Sequence, residues 1–300
     1  MALIVTSIPG AVTTVVNAFN ASYHADYFAV RSLAKKYLAA TPSVTTASPL
    51  ACALSGALTR WGAGKRKAPR CQPVANITTA LICATFHTNL VNLETSISYL
   101  AISGGRRSLN RGSPFVSVAA FDNCLIDTIR HISAAFLIGN TNVTYPMKSL
   151  LLLTSLMPAF DSQVKSGLAV AGVSGMNKTR YLLPTIASAD ARKICALPFY
   201  IAECISRYAT TLRAEISASS YPALTNEYGR IFDVLFFYAK WPNSCESSSD
   251  FYCTADWHSL VRDIETLNES FHRTGAKIAQ AGEFKRCRPS RCSCTRPLPP

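Results

Sequence analysis

The chain has 300 residues, 49% hydrophobic and only 16% charged, with 30 Lys and Arg against 17 Asp and Glu and a formal net charge of +13. This excludes a chain disordered along its whole length and supplies enough apolar side chain for one large or two smaller domains. Eleven cysteines, an odd number spread over 300 residues, exclude the dense, even disulfide framework of a small secreted scaffold.

Met1 to Gly10 is apolar but carries no basic n-region, and Pro9-Gly10 interrupts it. No secretory signal is therefore expected, and the sequence reads as that of a cytoplasmic protein. Three segments follow from composition: an N-terminal helical segment over 1–40, a helical core domain over 50–280, and a basic, Pro-rich tail over 285–300 expected to be disordered. Within 11–40, Ala29, Leu33, Ala34, Tyr37 and Leu38 recur at helical spacing, with Arg31, Lys35 and Lys36 on the other face. Residues 40–49 read as a linker and Leu50 to Trp61 as a helix. A basic loop follows, Arg60-Trp-Gly-Ala-Gly-Lys-Arg-Lys-Ala-Pro-Arg70, then one long helix over 75–102 and a second basic loop, Gly104 to Arg111.

Residues 118–138 are strongly helical and stop at Gly139, a residue suited to the end of a helix. The next helix is expected to be capped by Thr144, with Pro146 in its first turn, and to run through Leu150–Leu153 to Met157. This most apolar stretch is about half the ~20 residues that a membrane-spanning helix requires, and Pro158 stops it, so it reads as a buried core helix. Further helices are expected from Ser162, over 188–197, 199–217, 225–240 and 256–278. Strand signals are few, and the fold class is all-α, a multi-helix globular domain. Cys52, Cys83, Cys124, Cys195 and Cys204 fall on apolar helix faces and read as small buried hydrophobes. Cys245, Cys253, His258, Cys287, Cys292 and Cys294 lack the short two-residue separation of a zinc knuckle, so no metal is expected.

The charge is unevenly placed. Residues 1–121 hold 11 bases and two acids (+9), residues 122–284 hold 14 bases and 15 acids (−1), and residues 285–300 hold five bases and no acid (+5). A basic front half and tail on a nearly neutral body suit a phosphate-rich partner, because each neutralised phosphate releases counterions whatever the sequence. Lys65, Arg66, Lys67, Arg70, Arg106, Arg107 and Arg111 are the candidate phosphate contacts, with Trp61 available to stack or wedge or, alternatively, to close the core.

Leu137-Ile-Gly-Asn-Thr-Asn-Val-Thr144, a helix, and then Pro158-Ala-Phe-Asp-Ser-Gln-Val164 resemble the core of the helix-hairpin-helix DNA glycosylases. In that superfamily a hairpin Leu-Pro-Gly-Val-Gly-X-Lys-Thr precedes a helix and then Pro-X-X-X-Asp-Thr-X-Val. With the first glycine at Gly139, the Thr falls on Thr144 and, 22 residues on, the catalytic Asp on Asp161. The resemblance covers about a tenth of the chain. It implies a DNA-binding protein related to these glycosylases, with Gly139, Thr141 and Thr144 at the phosphate and Asp161 supporting cleavage of the N-glycosidic bond of an extruded base. The second hairpin glycine is replaced by Thr141, where a Cβ hinders close approach of backbone amides to phosphate. Val143 stands at the nucleophilic lysine, so the implied enzyme is a monofunctional hydrolase, with cleavage diverged or lost; no cofactor is implied, since the four-cysteine iron–sulfur spacing is absent. Asp161 reads equally as the N-cap of the following helix. His131, close to this segment, reads as a structural histidine or a site residue. The rival function is that of a noncatalytic helical interaction protein whose basic half docks an acidic protein partner or RNA. The glycosylase reading requires the loops at 60–70 and 106–111 to share a face with Gly139–Asp161.

Overall fold

A computed structural model describes residues 10–170 and 181–238. Every described residue belongs to one compact unit, within Met1–Leu260. The expected helix over 256–278, the tail 285–300 and the cysteines from Cys245 onward lie outside the described residues.

The described residues are mostly helical, as composition and periodicity indicated. In chain order they form α1 (Ala11–Ala18), α2 (Ala21–Leu38), α3 (Val44–Arg60), β1 (Arg70–Cys71), α4 (Val74–Leu81), α5 (Ala84–Ser96), β2 (Leu100–Ser103), β3 (Arg106–Leu109), α6 (Val118–Phe136), β4 (Leu137–Ile138), α7 (Thr144–Thr154), α8 (Ser162–Val170), α9 (Ala189–Ser217) and α10 (Tyr228–Tyr238). None of these helices is by itself long and apolar enough to cross a membrane.

Several boundaries differ from those expected, for local reasons. Residues 11–40 are two helices, because the Asn20 side chain accepts from the Ser22 amide and starts α2 afresh. The supposed linker at 40–49 is already helix from Val44: Ser43 and Thr46 form a reciprocal capping box, and Pro49 is carried inside α3. The expected helix over 75–102 breaks into α4 and α5, bent by 75°, and its end is strand β2. The second basic loop is a hairpin in which Leu100 faces Leu109 and Ser103 faces Arg106. Its two-residue turn, Gly104-Gly105, has φ of 56° and 77°, the left-handed geometry that matches the twist of paired strands and that glycine adopts without penalty. Pro198 does not divide α9; the departure from helical geometry falls at Tyr208.

Helix α7 is the centre. From Tyr145 to Thr154 only Lys148 escapes full burial, and a helix apolar on all sides must be enclosed on all sides. The helices α2, α3, α5 and α6 enclose it. Residues 11–38 are thus not a separate N-terminal segment: α2 packs on α3 and α7 within the same core. Arg31, assigned to the polar face of α2, is 5% exposed and sits inside this core. Its Nε donates to Glu227 (2.9 Å), its second guanidinium nitrogen to the Leu153 carbonyl (2.7 Å), and its third to Glu94. Glu227 also accepts from the Tyr27 hydroxyl (2.6 Å) and pairs with Lys35. Burial alone raises the Glu227 carboxyl, but Arg31, Lys35 and Tyr27 outweigh it and hold the group below its ordinary value. Beside this network α10 approaches the end of α7 closely: the Gly229 amide donates to the Ser155 carbonyl (2.9 Å), and a Cβ at Gly229 would stand 2.4 Å from that oxygen.

Removing one partner of a buried pair strands the other charge at a cost of about 3–5 kcal/mol. Glu227→Ala is therefore expected to lose about that much stability in urea unfolding, and Glu227→Gln, which keeps acceptors for Tyr27 and Arg31, distinctly less. Equal losses would show that the charge accounts for the whole effect and that the acceptor kept by glutamine contributes nothing.

Candidate functional site

The first basic loop begins where α3 ends. Trp61 is buried rather than available as a wedge: its Nε1 donates to Asp26 (3.0 Å), and Arg60 donates to the other oxygen of the same carboxylate (2.7 Å). Beyond it the chain closes on itself, with Ala63 N bonded to Leu58 O (2.9 Å), Gly64 N to Pro69 O (2.8 Å) and Ala68 N to Lys65 O (2.9 Å). Ala63 and Pro69 turn inward, while Lys65, Arg66, Lys67 and Arg70 are exposed. Arg66 is held at φ 52°, a left-handed conformation that costs a residue with a Cβ about 1–2 kcal/mol. None of these four cations has an ion-pair partner among the described residues.

The loop runs directly into β1, which pairs antiparallel with β4: Arg70 faces Ile138 and Cys71 faces Leu137. The pairing explains why α6 stops at Phe136, two residues before the expected end, since Leu137 and Ile138 are drawn into extended geometry and the Gln72 amide takes the Phe136 carbonyl (2.8 Å). The first basic loop and the Gly139 hairpin are therefore neighbours. A cleft lies on each side of β4. One, of about 730 Å³, is lined by Thr59, Lys65, Arg70, Gln72 and Ile138. The other, of about 640 Å³, is lined by Asp127, Arg130, His131, Leu137, Asn140 and Leu183.

The amides at the far end of the hairpin are already engaged within the fold. Gly139 is exposed with φ 70°, but the Val143 amide donates to Tyr181 O (3.1 Å) and the Thr144 amide to the Asn142 side chain (3.1 Å). Thr141 O accepts from the Leu183 amide (3.3 Å), and Asn142 forms an isolated bridge with Leu182. Residues 181–183 thus pair with residues 141–143, the second half of the hairpin. Thr144 is the first residue of α7 rather than its cap, and its hydroxyl donates to Phe160 O (3.2 Å).

That last bond brings Asp161 next to the hairpin, but in a committed state. One oxygen accepts from the amides of Gln163 (3.0 Å) and Val164 (3.1 Å), capping α8; the other lies 3.7 Å from Lys148 Nζ. Lys148 also donates to Trp61 O (3.2 Å), so it ties α8 to the first basic loop. Asp161 lines neither cleft beside β4. Nearby Asp233 is wholly buried, bonded to the Ala159 amide (2.9 Å) and paired with Arg230 (2.6 Å). Burial, the largest effect, outweighs Arg230 and pushes its carboxyl up to about 6. Arg230 is itself sandwiched by aromatic rings, 4.7 Å from Phe19, 5.4 Å from Tyr27 and 5.6 Å from Trp61.

The remaining candidate cations lie elsewhere. Arg107 makes a two-pronged pair with Asp122 (2.7 and 2.9 Å) and lies over the Phe199 ring (5.2 Å). Asp122 is in the first turns of α6 and Phe136 is 14 residues further along it, about 21 Å at 1.5 Å per residue. Arg106 and Arg111, on and just beyond the same hairpin, are exposed there. Loops 60–70 and 106–111 are therefore separated by most of the length of α6 and do not form one contiguous cluster of cations. Cys195 and Cys204 are buried as expected, whereas Cys52 and Cys83 are exposed and Cys124 is intermediate.

Residues missed by the sequence reading complete the region. Gln72, Ile138, Arg130 and Asn140 join it only through the β1–β4 pairing, which two-residue strands do not announce. No known protein family, curated protein or solved structure matches the chain.

If Asp161 acts as a cap, Asp161→Ala is expected to lose about 1 kcal/mol of stability while Asp161→Asn, which keeps an acceptor for both amides, stays close to wild type; thermal unfolding of the pair measures this, and equal losses would contradict it. Asp233 sets a pH dependence of opposite sign to Glu227. Its folded value is above its unfolded one, so its protonation favours the folded state, and its contribution grows as pH falls from about 6 towards 4. Asp233→Asn should remove that part of the stability–pH curve, and an unchanged curve would show that Asp233 does not titrate there.

Proposed function

We propose that this chain is a noncatalytic nucleic-acid-binding protein that grips the phosphates of a single strand through the loop 62–70. The observation that carries the reading is the partition of its cations. Arg31, Arg60, Arg107, Lys148 and Arg230 are each bound to a carboxylate within the fold, whereas Lys65, Arg66, Lys67 and Arg70 stand exposed, with no ion-pair partner among the described residues, on a tightly folded loop. Unpaired cations on a fixed frame bind phosphate without first giving up another partner, and counterion release supplies the free energy. The cleft between Lys65, Arg70 and Ile138 holds a nucleotide or two and not the cross-section of a duplex, with exposed Ile138 and Gln72 between the cations to meet a base. The helix-hairpin-helix likeness contributes its connection, two helices joined by 137–143 with Asp161 close by. Glycosidic chemistry is not included, because the Asp161 carboxylate is engaged by two amides and Lys148.

The test is an anisotropy titration of a short homopolymer at several salt concentrations. Four single-strand phosphate contacts predict a slope of log K on log salt of about −3, at about −0.7 per contact. Lys65→Ala should reduce the slope by about one contact, and a duplex of equal length should bind more weakly. A slope near zero, or one unaffected by substituting all four cations, would overturn the reading.

A further inference from the structure

The cleft on the other side of β4 carries a feature that phosphate binding does not use: two polar side-chain atoms, on residues that line it, without a hydrogen-bond partner among the described residues. Asn140 donates both hydrogens of its amide, to Ser133 Oγ (2.6 Å) and to Asn142 O (2.8 Å), which fixes the amide's orientation. Its Oδ1 is left buried with no hydrogen-bond partner. His131, its ring stacked on Phe86 at 4.3 Å and 28°, likewise has a buried Nε2 with no partner. A buried polar atom left unsatisfied is costly, so such atoms are uncommon in native folds and call for a reason. Both residues line the same open cleft of about 640 Å³, together with the apolar faces of Ala134, Leu137 and Leu183.

We propose that this cleft is a base-binding pocket for adenine, whose exocyclic amine donates to Asn140 Oδ1 and whose ring nitrogen accepts from His131 Nε2. Burial holds the His131 ring below its ordinary histidine value, so at neutral pH it is uncharged and carries one N–H. Asn140 Oδ1 can only accept, and the Asp127 carboxylate in the same wall is a second acceptor. On that edge guanine and uracil present a carbonyl oxygen, which these acceptors repel; cytosine presents the same amine and ring nitrogen as adenine, but the two-ring face of adenine suits the apolar wall better. Exposed Arg130 at the rim is placed to meet the attached phosphate. Leu137 lines this cleft and Ile138 the other, as successive residues of a strand face opposite ways. A strand crossing β4 would put phosphate at Lys65 and Arg70 and a base beside Asn140. The inference rests on the nucleic-acid reading only for the source of the base.

The decisive test uses neutral nucleosides, which carry no phosphate for the loop to hold. The full chain is titrated by calorimetry with adenosine and with purine riboside, which keeps the ring system and lacks the amine. Adenosine is expected to bind about tenfold more tightly, the discrimination of one well-made polar contact to a base edge. Asn140→Ala should abolish the difference. Because Asn140 also holds Ser133 and Asn142, His131→Phe, which keeps the stack on Phe86 and removes Nε2, is the second variant and should weaken adenosine binding. Saturable adenosine binding with that preference supports the pocket even if no oligonucleotide binds. Equal affinity for the two nucleosides, or no saturable adenosine binding, overturns it even if oligonucleotides bind with the full salt slope. Oligo(A) and oligo(U) at one salt concentration identify the source: preference for oligo(A) places the base in a strand, and equal binding of the two places it in a free adenine nucleotide.

Discussion

The buried guanidinium of Arg31 is the constraint from which the rest of the fold hangs. Its hydrogen bonds reach Glu227 ahead of α10, Glu94 on α5 and the carbonyl of Leu153 near the end of α7. A charge in a low-dielectric core is tolerated only with its partners in place. The network therefore fixes where four elements distant in sequence must meet. Arg230 and Asp233 extend it along α10, and the rings of Phe19, Tyr27 and Trp61 close around Arg230. Trp61 is both a wall of this interior and the root of the first basic loop. A loop anchored so firmly holds its exposed side chains in a defined arrangement.

Net charge acquires a different meaning in this light. A surplus of cations says little about function while it is unknown which of them already serve the fold. Arg31, Arg107 and Arg230 are internal, and Lys148 is held between Asp161 and the Trp61 carbonyl. Against these the loop 62–70 stands out: its backbone turns are satisfied internally, and all four of its cations face outward. The hairpin 104–105 is equally basic in composition, yet its Arg107 braces α6 against α9.

Much of the helical architecture was legible because it is written locally. The apolar run at Leu150–Leu153 reads as a buried helix and proves to be the central one, and Asp161 stands at a helix start as its neighbours Ser162 and Gln163 suggest. What was not legible depends on contacts far apart in sequence. Arg31 has the spacing of a polar-face residue, and nothing near it indicates that Glu227 will arrive 196 positions later. The β1–β4 pair is two residues long on each side, too short for any alternation, yet it joins the basic loop to the hairpin and so forms the cleft between Lys65, Arg70 and Ile138. The Gly104-Gly105 turn is a readable exception, a hairpin signal set between basic flanks. The helix-hairpin-helix pattern marks, by spacing alone, a segment that the β1–β4 pairing places beside the first basic loop. Spacing does not report that residues 181–183 will take up the hairpin's backbone groups.

The division of the cations into those that hold the fold and those that face a partner is tested most directly by measuring both properties on the same set of variants. Lys65, Arg66, Lys67 and Arg70 are each replaced by alanine, as is Arg107, and each variant is assayed for single-strand affinity at low salt and for stability in urea. The account predicts that the four loop variants lose affinity with stability nearly unchanged, while Arg107→Ala loses stability with affinity retained. Loop variants that bind as wild type, or an Arg107 variant that unfolds as wild type and fails to bind, would contradict it.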